Sequence, residues 1–253
     1  MRLWPKVWAA LLFYLFIGLM VVFFSPWAGI FTYPLVILAS ALFILALRLR
    51  VRMGGFLAGS VAAALCMGLV IAFLAIIGAI LIGPLRNGYV YFLGIGIAIQ
   101  LLVGLGEEMS FRASIFQCLF DEAGFWPAAM LSAAGFAVLH LPSMSLLGVG
   151  VESGLVALCT IFLAGVALAL LYAYGGLLNA IAFHFTWNFI EYNIFNMGPL
   201  EGAISVTKIG PDILTGGAFG PEASAVGLVA VALLIPAIWL YYRDHSISTK
   251  SII

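Results

Sequence analysis

The chain has 253 residues, of which 65% are hydrophobic and 8% are Asp, Glu, Lys or Arg, ten basic against ten acidic. An ordinary soluble domain is roughly 45–50% apolar and about a quarter charged, and a globule of this size has too little interior to hide so much apolar surface. Composition excludes a water-soluble protein and a disordered one, and the balanced charge provides no basic patch for nucleic acid.

A bilayer core of ~30 Å calls for about 20 apolar residues of helix. Runs of that kind are Val7–Phe24, Phe31–Leu47, Phe56–Ile82, Tyr89–Phe120, Pro127–Leu141, Gly154–Tyr174, Gly176–Phe195 and Ala225–Tyr242. The expected fold class is therefore all-α: a polytopic membrane protein of about eight transmembrane helices, one domain over residues 1–253. The first run, preceded by Arg2 and Lys6, is too long for a signal peptide and has no small-x-small cleavage site after it, so it reads as an uncleaved anchor. The second depends on a weak break at Ser25-Pro26. The fourth is too long for one straight span; it must tilt, begin outside the membrane, or kink near Gly94, Gly96, Gly104 or Gly106.

With eight spans, Arg2, Lys6, Arg48, Arg50, Arg52, Arg243 and Lys250 fall on one side and Arg86 and Lys208 on the other. The excess of positive charge places both termini in the cytoplasm. The loop Asn196–Ser224 then lies outside, as a lid over a cavity or a plain ordered turn. Cys66, Cys118 and Cys159 sit in apolar runs and read as small buried hydrophobes. Trp4, Trp8, Trp27, Tyr33, Tyr89, Tyr91, Trp126, Tyr241 and Tyr242 read as interfacial aromatics.

Ionisable groups inside the apolar runs are few: Glu107, Glu108 and Arg112 in the fourth, His140 in the fifth, His184 and Glu191 in the seventh. Each costs roughly 2.5–3.5 kcal/mol on insertion scales, and the default reading of such a residue is functional. Glu108 and Arg112 are i,i+4 and can pair on one helix face, leaving Glu107 to point elsewhere. His184 and Asn188 are also i,i+4. At ~1.5 Å per residue, Glu107 lies about 21 Å along its helix from Asp121, His140 roughly 20 Å from Pro127 and His184 about 12 Å from Gly176. Three helices can thus bring a carboxylate and two imidazoles to similar depths, where they would activate water. An ion path and plain helix packing remain open on these residues alone. Glu191 shares the His184 face, where it would tune that histidine or reach the outer interface.

Three motifs stand in order: Glu107-Glu108-Met109-Ser110-Phe111-Arg112 as E-E-x-x-x-R, Phe136 to His140 as F-x-x-x-H, and His184 to Asn188 as H-x-x-x-N. Together they resemble the CPBP family of intramembrane proteases, which includes the type II CAAX prenyl endopeptidases. The resemblance covers roughly Gln100 to Phe195. It implies a cavity within the membrane that admits a peptide, and a peptidase with four catalytic residues, Glu107, His140, His184 and Asn188, supported by Glu108 and Arg112. Glu107 would be the base that activates water, and Asn188 would help hold the oxyanion. No cofactor is expected. Zinc on Glu107, His140 and His184 is the rival mechanism, though no H-E-x-x-H is present. The expected partners are the bilayer and a peptide or protein substrate, which some relatives take in lipidated form. The short loops look bacterial or archaeal. A non-enzymatic transporter or immunity scaffold on the same fold is the alternative, and no inverted repeat supports it.

Overall fold

The computed structural model describes residues 4–245. Arg2 and Lys250, both used in the charge count above, lie outside the described residues. Helix α1 (Pro5–Leu19) passes through a π-helical turn, Met20–Phe24, into the short α2 (Ser25–Ala28) and a 3-10 turn before α3 (Thr32–Ala46). The Phe13 and Phe43 rings stack with centroids 4.2 Å apart, holding α1 against α3. Helix α4 covers Leu57–Ile76. Next come α5 (Tyr89–Glu108), a π-helical stretch Met109–Phe116, and α6 (Gln117–Ala123). They are followed by α7 (Phe125–Val138), α8 (Leu141–Leu146) and α9 (Val151–Gly175). Helix α10 (Leu177–Asn188) continues into a second π-helical stretch, Phe189–Ile194. A short α11 (Asp212–Thr215) precedes the last helix, α12 (Ala225–His245).

Seven helices among the described residues are long and apolar enough to cross a membrane. The remaining expected run, the seventh at Gly176–Phe195, is helical over 177–194 but diluted by Asn179, His184, Asn188, Glu191 and Asn193. Those groups face protein: Asn179, His184, Glu191 and Asn193 are all buried. This helix packs against α4, α5 and α9, so it does not need a lipid-facing apolar surface. The exterior of the bundle, by contrast, is apolar, with Ile76, Leu146 and Val151 more than 80% exposed.

Three expectations about the runs need correction. The third run does not continue to Ile82: α4 stops at Ile76, Gly78 takes a left-handed φ of +71°, and Ile80–Leu85 forms a strand, β1. β1 pairs antiparallel with β2 (Ile204–Lys208), Ile80 opposite Lys208 and Ile82 opposite Val206, with an irregularity before Leu85. Pro84, which lacks an N–H to give to the ladder, lies at that irregularity. The fourth run stays helical from Tyr89 to Ala123, and its departure from α geometry is the π-helical stretch, not a glycine kink. Gly96 and Gly104 serve close packing instead: a Cβ on Gly96 would lie 2.4 Å from Asn193 Cγ, and one on Gly104 3.5 Å from the Ile181 carbonyl. Finally, Cys159 is exposed on the bundle exterior, whereas Cys66 and Cys118 are buried.

Candidate active site

Two helices carry most of the polar residues, and both change pitch at the motif. Glu107 and Glu108 end α5, and the π-helical stretch starts at the next residue. Asn188 ends α10, and the second such stretch starts at Phe189. A wide turn of this kind inside a helix recurs at functional sites because it re-aims the side chains around it. Hydroxyls satisfy carbonyls around the first turn: Ser110 Oγ donates to the Gly106 carbonyl and Ser114 Oγ to that of Met109, each at 2.8 Å.

The start of α10 is fixed by backbone. Gly176, at φ +89°, lets the chain reverse there. The N–H groups of Leu177 and Leu178, unpaired within their own helix, donate to the carbonyls of Arg52 and Met53 at 2.7 and 2.8 Å. Asn179 accepts from the Gly59 N–H on α4 and bonds the Tyr242 hydroxyl on α12. At the other end of the helix, Gln100 Nε2 donates to Asn193 Oδ1 at 3.0 Å, tying α5 to the second π-helical stretch.

Between these supports runs a continuous polar chain. Tyr33 Oη donates to Glu107 Oε1 at 2.8 Å. Glu107 Oε2 lies 3.6 Å from His184 Nε2. His184 Nδ1 donates to Glu108 Oε1 at 2.8 Å. Glu108 Oε2 is 3.2 Å from Arg112 Nε, an i,i+4 ion pair with both side chains at most 1% exposed. Arg112 also donates to the Gly165 carbonyl at 3.3 Å and lies 4.6 Å over the Phe136 ring. A buried cation placed this way is compensated by charge, hydrogen bond and ring together.

Hydrogen-bond direction fixes the tautomers. A carbonyl only accepts, so His140, whose Nδ1 is 2.8 Å from the Phe136 carbonyl, carries its proton there and presents Nε2 as an acceptor. His140 occupies the break between α7 and α8. Tyr33, Glu107, His140, His184 and Asn188 all line one cavity of about 460 Å³. The structure therefore brings all four catalytic candidates to a single chamber. Glu108 and Arg112 do not line it; they stand behind His184 and Glu107.

Several assignments change. Tyr33 is not an interfacial aromatic, since its hydroxyl holds Glu107. Tyr242 is tied to Asn179 rather than left at an interface. Glu191 reaches neither the outside nor His184: it is fully buried, beside Glu222, with its Oε1 pressed where a Cβ on Gly220 would lie. Glu222 comes from the 196–224 loop and accepts from Trp187 Nε1 at 2.6 Å. Lys208 donates to the carbonyls of Met197 and Gly217 in the same loop. Burial pushes that ammonium below the ordinary lysine value, against the opposite pull of Glu191, Asp212 and Glu222. The loop is an ordered wall of the chamber, with Leu200, Phe219 and Glu222 lining it. Among the described residues no three His, Cys, Asp or Glu side chains form a set that could hold a metal ion.

Comparison with known proteins gives one family. Residues 89–190 match the model of the type II CAAX prenyl endopeptidase Rce1-like family. No curated protein and no solved structure matches the chain. The matched segment contains all three motifs, whereas Tyr33, Glu191, Lys208 and Glu222 lie outside it. The motifs, the apolar helical bundle and this match agree: over residues 89–190 the chain is similar to the Rce1-like family of CAAX-type membrane proteases.

Proposed function

We propose that the chain is an intramembrane endopeptidase that hydrolyses a peptide bond of a membrane-associated or lipidated protein, using a glutamate as its base. The observation that carries this reading is the chain Tyr33–Glu107···His184–Glu108–Arg112, of which Tyr33, Glu107 and His184 face the chamber. Glu107 takes one proton of a water molecule, and His140 Nε2, an acceptor, holds the other. The water oxygen then attacks the scissile carbonyl carbon. Asn188 donates an amide N–H to the oxyanion, a type of contact usually worth roughly 2.7–4 kcal/mol. His184 assists from the same helix face, held by Glu108. Collapse of the tetrahedral intermediate breaks the C–N bond, and Glu107 returns its proton to the leaving amine. Every proton is accounted for by the chain's own residues, so the reading needs no cofactor.

The test is Glu107→Gln in purified full-length protein with a library of quenched fluorogenic peptides. Gln keeps the size and the Tyr33 contact but has no basic oxygen. Cleavage should fall about 10²–10⁴-fold, the usual worth of a general base, with the melting temperature unchanged. Wild-type rates in the Gln variant would overturn the assignment.

A further inference from the structure

An oxyanion formed inside a mostly apolar chamber has lost its water, and a single hydrogen bond leaves most of its charge unmet. Asn188 supplies one amide donor. Neither imidazole supplies a second. His140 keeps its proton on Nδ1, against the Phe136 carbonyl, and offers only an acceptor. His184 gives its Nδ1 proton to Glu108 and turns Nε2 toward Glu107 Oε2, 3.6 Å away. Neutral, that nitrogen accepts; protonated, it is matched by the glutamate beside it.

Most other side-chain donors around the chamber are already used. Tyr33 gives its proton to Glu107, and Trp187 gives its N–H to Glu222. Ser110, Ser143 and Thr160 give theirs to helix carbonyls. Gln100 donates to Asn193 and is 1% exposed, and Thr32 Oγ1 is buried without a partner. Tyr192 differs from all of these. It lines the chamber only half-buried, and its hydroxyl neither bonds another described residue nor is sealed from the chamber.

The position of Tyr192 suits the reacting carbonyl. It follows Asn188 by four residues, about one turn, in the π-helical stretch Phe189–Ile194. The loop seats its ring: a Cβ on Gly198 would lie 2.1 Å from Tyr192 Cε1, so glycine there leaves room for the phenol. Glu107 and Tyr33 are among the groups within electrostatic reach of that phenol. Tyr192 also stands two residues beyond the segment that matches the family.

We propose that Tyr192 is a further catalytic residue, the second donor to the oxyanion beside Asn188. Its O–H donates without giving up the proton. The bond strengthens as the carbonyl oxygen gains charge and relaxes when the carbonyl re-forms and the C–N bond breaks. This proposal deepens the protease reading and rests on it.

The experiment uses full-length protein in nanodiscs and the peptide that wild type cleaves best in a quenched fluorogenic library. Two uncleavable versions of that peptide serve as probes. In one a phosphinic group places an anionic oxygen where the oxyanion forms; in the other a CH2–CH2 link has no oxygen there. Tyr192→Phe keeps the ring on Gly198 and removes only the hydroxyl. Its kcat should fall about 10²-fold, the usual loss for one oxyanion donor, with KM within about twofold of wild type. Binding of the phosphinic peptide should weaken by a similar factor, because it mimics the transition state, while the CH2–CH2 peptide binds as before. The melting temperature should not change. An unchanged kcat, an equal loss in KM, equal weakening of both probes, or early melting of the Phe variant would overturn the proposal. Wild type that cleaves no peptide would remove the protease reading and this proposal together. Wild-type cleavage that persists at full kcat in Tyr192→Phe would remove this proposal alone.

Discussion

Glu108 stands between two partners: it accepts from His184 Nδ1 at 2.8 Å and is 3.2 Å from Arg112 Nε. Glu108→Ala would leave a buried guanidinium without its counter-charge and His184 without the group that orients its ring. Removing one partner of a buried pair costs about 3–5 kcal/mol, so the variant should melt well below wild type and lose activity together with stability. Glu107→Gln should separate the two effects, and a Glu108→Ala protein as stable as wild type would mean that the pair carries no such load. Tyr33 acts on Glu107 from 74 residues away in sequence. Tyr33→Phe removes only the hydroxyl. A hydrogen bond to a charged group is worth about 1.5–3 kcal/mol, so kcat should fall about tenfold or more while KM changes little. Equal loss in KM would instead mark Tyr33 as a substrate contact. The sequence made Glu108–Arg112 visible because i,i+4 spacing is a property of the helix itself. It gave no sign of Tyr33, because a tyrosine near the end of an apolar run has the same local signature whether it meets lipid headgroups or a carboxylate across the bundle. The same holds for Glu222, whose partner Trp187 is brought to it only by the loop's return.

The helices themselves were legible because lipid imposes a long apolar run on anything that crosses it. What escaped was pitch and closure. A π-helical stretch such as Met109–Phe116 keeps the composition of the helix it interrupts. The β1–β2 ribbon joins segments more than a hundred residues apart, and β1 reads as the tail of an apolar run. Helix-to-helix distance is the other hidden quantity, and α4 provides a test of it. A Cβ on Gly59 would lie 2.0 Å from the Asn179 carbonyl oxygen, a backbone atom, whereas one on Gly68 of the same helix would meet nothing within 4 Å. Gly59→Ala must push α4 off α10, at an overpacking cost of about 1–3 kcal/mol. It should also lower activity, because α10 carries His184 and Asn188. Gly68→Ala should leave activity intact and hold or raise the melting temperature, since Ala is favoured over Gly in a helix by about 0.8–1 kcal/mol. Equal behaviour of the two variants would show that the α4–α10 contact does not set the position of the site.

Contacts between distant segments sort the whole molecule into two ends. At one end Lys6 pairs with Asp121, Tyr172 bonds Gln117, Arg52 reaches the Ala173 carbonyl, and Tyr242 meets Asn179. At the other, β1 pairs with β2 and Arg86 meets Glu201 at 3.4 Å. Tracing the helices between these ends makes 177–194 a crossing segment and returns α12 to the end where α1 began, so the path has an even number of passes. Among the described residues, Lys6, Arg48, Arg50, Arg52 and Arg243 gather at the first end, and Arg86 and Lys208 at the second. Cytoplasmic flanks carry the excess of Lys and Arg, so the Lys6–Asp121 end should face the cytoplasm and the ribbon should face outward. In a background with Cys66, Cys118 and Cys159 replaced, Glu201→Cys should react with a membrane-impermeant maleimide in intact cells. Glu122→Cys should react only after the membrane is opened. The opposite pattern would invert the molecule and require its substrate to be delivered from the other face. Labelling of both positions in intact cells would break the even-pass path, and with it the placement of 177–194 as a membrane-crossing helix.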